Sequence, residues 1–359
     1  MMDKKLYIPG PVQVAADVYQ AMCAPMIGHR SKDYATLQHE VTTGLKRLLN
    51  TENPVFLSTS SAFGVMEGAV RNLVGKRCAN FGNGAFSTKW HDVTRRCGLE
   101  ADLFTAEWGQ PITPEMVEKA LSSGKYDAMT LVHNETSTGV LSPLEEIAEV
   151  MKKYPEVSFI VDTVSSMSAV KIDVGALGTD VCLAGVQKAF GLPPGLAVFA
   201  VSPKALEKAK TIPNRGYYFD FEEFAANDLK DNTPSTPALS LVYALAHQLR
   251  KFFAEGLENR YERHRRMAEA TRQWVLDQGF GLFAAEGYRS LTLTAGANDG
   301  RIDLEKLKKL AGERGYAIDN GYGKIKNQTF RIPHMADMAQ ADLDELFRLL
   351  EELLPQVRS

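Results

Sequence analysis

Cysteine is scarce in this chain of 359 residues: Cys23, Cys78, Cys97 and Cys182 are scattered, with no CxxC pair and no metal-ligand spacing. That excludes a disulfide framework and a cysteine-built metal site, and it fits free thiols in a reducing compartment. Net charge is also small, −3 at neutral pH, so there is no broad field to hold nucleic acid or an anionic membrane. No apolar run approaches the ~18 residues of a membrane span. The opening MMDKKLYIPGPV lacks the apolar core of a signal peptide, and the closing VRS is no recognised address. Internal repeats and low-complexity tracts are missing too. These absences lead us to expect a cytoplasmic protein whose partners are small molecules or a second copy of itself.

What is present is ordinary globular composition, 45% hydrophobic and 24% charged, in a chain long enough for one large domain and a smaller one. From about residue 55 to 200, seven short apolar runs (VFLSTS, RCANFG, EADLFTA, YDAMTLVH, VSFIVD, DVCLAG and LAVFAVS) read as strands. Amphipathic segments such as MEGAVRNLV and PLEEIAEVMKKYP lie between several of them. Strands alternating with helices predict an α/β architecture with a mostly parallel sheet covered on both faces. Residues 203–237 read as less regular, with Pro213, Pro234 and Pro237 as breakers. A long helical stretch follows to about Asp277, with a break expected near Gly256 and a heavily charged second half read as a solvated face. The tail reads strand, helix, strand, helix, a compact α+β unit.

In an open parallel sheet, ligands collect at the carboxyl ends of the strands. Thr59, His133, Asp162, Gln187 and Lys188 all fall there. Lys188 sits in CLAGVQKAFGLPPGLAVF, apolar on both sides, where a lone cation is costly unless its charge is altered or paired. Taken singly, each residue has a plainer reading: Lys188 ending a strand and snorkelling to solvent, Asp162 as a helix cap, His133 and Phe86 as core. The Ser-rich turn at Ser61 could be only an N-cap, although a helix start also offers free N–H groups and a positive dipole end to a phosphate. Together, a lysine, an acid, a phosphate cradle and an aromatic face are the parts of a pyridoxal phosphate site. The amine condenses with the aldehyde, the carboxylate keeps the pyridine nitrogen protonated, and the aromatic stacks on the ring.

GVQKAFGLPPG, VDTVSS, HNETSTGVL, TSSAFGVMEGAV and YIPGP together resemble the class V, fold-type I pyridoxal phosphate aminotransferases, above all the alanine/serine:glyoxylate or pyruvate aminotransferases. The resemblance runs over nearly the whole chain. It implies a seven-stranded, mostly parallel large domain (16–255), preceded by a segment (1–15) lining the active site and followed by a small α+β domain (256–359). Lys188 would be the Schiff-base lysine and proton shuttle, and Asp162 the partner of the pyridine nitrogen. Val164 and Phe86 would pack on opposite ring faces, the latter where relatives often carry tryptophan. Ser61, Ala62, Phe63 and Gln187 would hold the phosphate, and Ser137 would lie near the ring 3-hydroxyl. Arg331, by itself an unremarked surface arginine, matches the clamp for the substrate α-carboxylate, with Pro9 and Gly10 nearby. DNTPSTP, with Asn232 and Thr233, resembles a segment that crosses a dimer interface to a neighbour's phosphate, which implies a homodimer with shared active sites.

Two departures bear on the substrate. Phe63 stands where some glyoxylate-using relatives have histidine. MIGHRSKDY, with His29 and Arg30, resembles an element that binds substrate phosphate in phosphoserine aminotransferases, but RIPHMAD offers only His334 where those enzymes carry paired histidines. The expectation is therefore a ping-pong transaminase for small unphosphorylated amino acids (alanine or serine) and a 2-oxo acid (glyoxylate or pyruvate). Phosphoserine transamination is one alternative and a weakly catalytic partner subunit is another. A desulfurase on this fold would need histidine before the lysine and a cysteine on a mobile loop; Gln187 holds the first position, and no cysteine follows Cys182.

Overall fold

Apolar runs with no polar alternation need burial on both faces, and six of the seven runs obtain it, while EADLFTA at the sheet edge is only partly buried. The computed structural model describes residues 4–358; the first three residues of the 1–15 segment and Ser359 of the 256–359 unit lie outside the described residues. In chain order the strands are β1 (Lys5–Tyr7), β2 (Val55–Ser58), β3 (Cys78–Gly82), β4 (Ala101–Thr105), β5 (Ala128–Val132), β6 (Asn134–Glu135), β7 (Val140–Leu141), β8 (Ser158–Asp162), β9 (Val181–Gly185), β10 (Ala197–Val201), β11 (Gly281–Leu282), β12 (Leu293–Ala297), β13 (Tyr316–Ile318) and β14 (Thr329–Pro333).

The large sheet has seven strands in the order β2-β10-β9-β8-β5-β3-β4. Its ladders are parallel except the two made by β10, with β2 and β9. Alternate residues feed two cores: Val161, Cys182 and Ala184 on one face, Ile160, Val181 and Leu183 on the other. Helices Lys32–Leu49 and Leu239–Glu255 cover the first face, through Leu37, Val41, Leu45, Leu241 and Leu245. Helix Ala62–Leu73 covers the second, through Val65, Met66 and Ala69. No helix among the described residues is long and apolar enough to cross a membrane.

The C-terminal strands β11, β12 and β14 form an antiparallel sheet, packed by helices Leu304–Glu313 and Gln340–Leu353. β1 pairs in parallel with β13, so the N-terminal strand is built into this unit. Tyr7 is accordingly buried there, its hydroxyl donating to the Asp342 carbonyl at 2.7 Å. His334 is also buried, with Nε2 3.0 Å from Thr294 Oγ1.

Two expectations need correction. The stretch 203–237 holds two helices, Pro203–Thr211 and Phe221–Asp228, capped by the Ser202 and Asp220 side chains. Pro203 occupies a first-turn position, where its missing N–H costs nothing, and Pro213, Pro234 and Pro237 all lie outside the two helices. The charged stretch is continuous helix from Leu257 to Asp277, separated from Leu239–Glu255 at Gly256 (φ +85°). It is not merely solvated: Arg260 is 1% exposed and donates to the carbonyls of Ser168 (2.8 Å) and Ala189 (2.9 Å). This helix therefore braces the loop that follows Lys188.

Candidate active site

The carboxyl ends of β2, β5, β8 and β9 open onto a cavity connected to solvent. Ser61, Ala62, Phe63, Phe86, Asp162, Val164, Gln187 and Lys188 all line it. Residues separated by more than a hundred positions thus meet because parallel strands deliver their ends to one edge.

Asp162 ends β8 and is 5% exposed. It accepts from the Val164 amide (2.9 Å) and the Trp90 indole N–H (3.3 Å). Burial outweighs these bonds and pushes its pKa up to about 6. No cation among the described residues comes within ion-pair distance of this carboxylate, and a protonated ring nitrogen in the cavity would supply one.

Lys188 follows β9 by three residues. Its Nζ donates to Thr136 Oγ1 (2.9 Å) and Ser165 Oγ (3.1 Å), and lies 5.1 Å from the Phe86 ring centroid. Burial and then the Arg331 charge lower its pKa to about 8. The amine has no carboxylate within ion-pair distance among the described residues. The N-terminal segment packs directly on its stem: Gly10 has φ +136°, and a Cβ there would stand 3.1 Å from Lys188 Cγ. Val12 N–H donates to the Gln187 carbonyl at 3.1 Å, fixing that contact.

Phe86 is placed by a buried carboxylate. Helix Ala85–Arg96 begins at Gly84, which offers no side-chain cap. Glu135 takes that role, accepting from the amides of Phe86 (3.4 Å) and Ser87 (2.7 Å), as a negative group at a helix N-terminus should. A Cβ at Gly84 would meet Glu135 Cγ at 2.3 Å, so only glycine allows the approach. Tyr322 stacks on Phe86 with centroids 5.1 Å apart and planes 14° apart.

At the other wall, helix Ala62–Leu73 starts at the cavity, and Ser61 makes no capping bond to its first amides. A helix start without a side-chain cap offers its first amides to an anion. Asn134 also lines the cavity, and its Oδ1 has no partner. Amine, buried acid, uncapped helix start and orphaned amide oxygen fit pyridoxal phosphate as a donor set.

Other expected residues lie elsewhere. Ser137 does not line the cavity: it donates to Glu135 Oε1 at 2.7 Å, while the preceding Thr136 faces the amine. Arg30 donates to Asn232 Oδ1 (3.3 Å) and to the carbonyls of Thr233 (2.7 Å) and Pro234 (3.2 Å). It therefore pins the 232–234 segment, and neither Arg30, His29, Asn232 nor Thr233 lines the cavity of its own chain. Pro9 is buried beside Gly10. Arg331 donates from Nη1 to the Thr136 carbonyl (2.9 Å), one residue behind the cavity wall, and from Nε and Nη2 to Asp319.

His133 belongs to the core, 3% exposed, with Nδ1 3.0 Å from Ser166 Oγ. Burial lowers its pKa to about 4. The unfolded chain therefore takes up a proton first as pH falls from about 6.5 to 4. Over that window this group removes stability at up to ~1.4 kcal/mol per pH unit. A His133→Gln variant is expected to flatten the acid limb of a urea-midpoint profile; an unchanged limb would refute the assignment.

Trp90, Thr136, Ser165, Asp319 and Tyr322 were not singled out from the sequence. Trp90 lies four residues after Phe86 on the same helix, a spacing that puts both on one face. Thr136 and Ser165 sit inside the HNETSTG and VDTVSS motifs.

Comparison with known proteins agrees with this geometry. The family model for aminotransferase class V matches residues 15–323. A serine–glyoxylate aminotransferase of Methylorubrum extorquens is 34% identical over 94% of this chain and 88% of its own length. The soluble hydrogenase small subunit of a Synechococcus strain is 35% identical over 99% of this chain and 94% of its own. The crystal structure of an alanine–glyoxylate aminotransferase from Nostoc superposes with a TM-score of 0.93 at 27% identity, covering 99% of this chain and 96% of that one.

Proposed function

Because the chain belongs to the class V aminotransferase family, whose members are pyridoxal phosphate-dependent transaminases, we propose that it moves an amino group from alanine or serine to glyoxylate or pyruvate. The observation that carries this reading is the pairing of a desolvated, unpaired Lys188 amine with a buried Asp162 across one cavity. The names of the serine–glyoxylate and alanine–glyoxylate relatives support the substrate class.

When bound, the cofactor supplies an aldehyde and an electron-accepting ring. Lys188, with its lowered pKa, takes the proton from the substrate α-carbon and returns one to the product side. Asp162 holds a negative charge against the ring nitrogen. The first amides of helix Ala62–Leu73, with Gln187, hold the phosphate. Phe86 and Val164 confine the ring plane, and Arg331 receives the substrate carboxylate. Donor and acceptor share these contacts in turn, which is ping-pong behaviour. The segment carrying the half-buried Asn232 and the buried Thr233 reaches a neighbour's phosphate in a homodimer. Arg30 is engaged by residues 232–234, which counts against its serving a substrate phosphate.

The Synechococcus relative's name supports a second reading, a partner subunit with little catalysis. One experiment separates the readings: the visible spectrum of the holoenzyme titrated with L-alanine, L-serine and L-phosphoserine. Loss of the yellow band with alanine or serine is expected. A response to phosphoserine alone overturns the substrate class, and no response to any amino acid favours the subunit reading.

A further inference from the structure

The family likeness points to Arg331 but not to what holds it. The side chain is 6% exposed, and a guanidinium that far from water needs partners for its charge and its donors. Asp319 provides them side-on: Nε donates to Oδ1 and Nη2 to Oδ2, both at 2.7 Å. Nη1 donates to the Thr136 carbonyl at 2.9 Å. A guanidinium has five N–H donors. Three are engaged, so one hydrogen remains on each terminal nitrogen, the pair that a carboxylate grips in a two-pronged contact.

We propose that Asp319 is the positioning residue of the substrate-carboxylate site, turning Arg331 so that its two free terminal N–H groups face the α-carboxylate. This rests on the reading of Arg331 given above. Asp319 is itself fixed. Its backbone bridges that of Arg331 in antiparallel fashion, and its Oδ1 accepts the Gly321 amide at 2.9 Å. Gly321 has φ +85°, and a Cβ there would come within 2.6 Å of the Thr329 carbonyl oxygen, so the turn tolerates only glycine. The same turn delivers Tyr322, whose ring centroid lies 5.5 Å from the Arg331 guanidinium carbon and which stacks on Phe86. Asp319 thus sets the guanidinium plane and starts the turn that supports its face.

Charge and geometry pull in opposite directions here. Asp319 cancels the Arg331 charge, so by Coulomb attraction alone its removal would tighten binding of an anionic substrate. Loss of orientation would weaken it, because a buried two-pronged contact depends on alignment. The proposal is that orientation dominates.

The test is steady-state kinetics of the holoenzyme for the wild type, Asp319→Ala, Asp319→Asn and Arg331→Lys, with cofactor content read from visible absorbance. Asp319→Ala is expected to raise KM for both the amino donor and the oxo acid by about 10- to 100-fold, the weight of a charge-assisted hydrogen bond, with kcat changed by less than about fivefold. Asp319→Asn keeps the shape and one acceptor, and is expected to recover part of the loss. An unchanged or lowered KM in both Asp319 variants, while Arg331→Lys raises it, overturns this inference and leaves the arginine reading intact. An Arg331→Lys enzyme with wild-type KM overturns both.

Discussion

Lys188→Ala is expected to lower kcat by at least about 10²- to 10⁴-fold, the range for losing a positioned acid–base group, with further loss from its covalent role. The magnitude follows from where the amine sits. With a pKa of about 8 in place of 10.5, the neutral fraction at neutral pH is roughly 300-fold larger than for an exposed lysine. Burial is the first cause of that shift and the Arg331 charge the second, so the same arginine read as the substrate clamp also primes the amine. Thr136 and Ser165 hold Nζ without giving it a counter-charge, which leaves the proton free to move. Two measurements separate chemistry from folding. The variant should unfold at a temperature close to wild type or above it, since a buried cation is removed. Added small primary amines should restore part of the rate, which a merely structural lysine would not permit. Full transaminase activity without Lys188 would sink the catalytic reading.

The parts of this site that were legible from the sequence are those fixed by local chain direction. A strand end followed by a polar turn puts Asp162, Lys188 and the Ser61–Phe63 turn at one sheet edge whatever the details of packing, and the seven-stranded sheet follows from runs too apolar for a solvated face. Less legible was which of the consecutive hydroxyls faces the cavity. Only Asn134–Glu135 is extended here; residues 136–139 form a turn in which the Thr138 and Gly139 amides donate to the Glu135 carbonyl, so strand alternation does not decide which hydroxyl faces the cavity. Asn134 and Thr136 line the cavity side while Glu135 and Ser137 face helix Ala85–Arg96. Asp319, Tyr322 and Arg260 were illegible for another reason: their partners lie in other elements, and no spacing rule within the motifs announces a pairing set by tertiary packing. Arg260 also shows why a charge run says little, since one face of a polar helix can be buried while its neighbours pair along the surface.

Asp162→Asn is expected to lower kcat by about 10²- to 10³-fold, the scale for removing one preorganised charge from a water-excluded site. The amide is nearly the same shape but cannot satisfy both present donors, because Val164 N–H and Trp90 N–H each approach a different carboxylate oxygen. One of them would face an NH₂ group. A second consequence concerns the cofactor-free protein and has a definite sign. The folded-state pKa is raised to about 6 from 3.8, so between those values the native state binds more protons than the unfolded chain. Stability from this group is therefore present at low pH and is lost as pH rises through that window, by roughly 3 kcal/mol in total. His133 acts in the opposite sense over part of the same range, so wild-type stability alone does not isolate either group. The difference between wild type and Asp162→Asn does: measured by urea unfolding of the apo-proteins, it should shift in favour of the variant by about 2 kcal/mol between pH 4 and pH 6.5. A constant difference across that range would mean the carboxylate is ionised throughout. The idea that it waits, strained by burial, for a cation in the cavity would then be wrong.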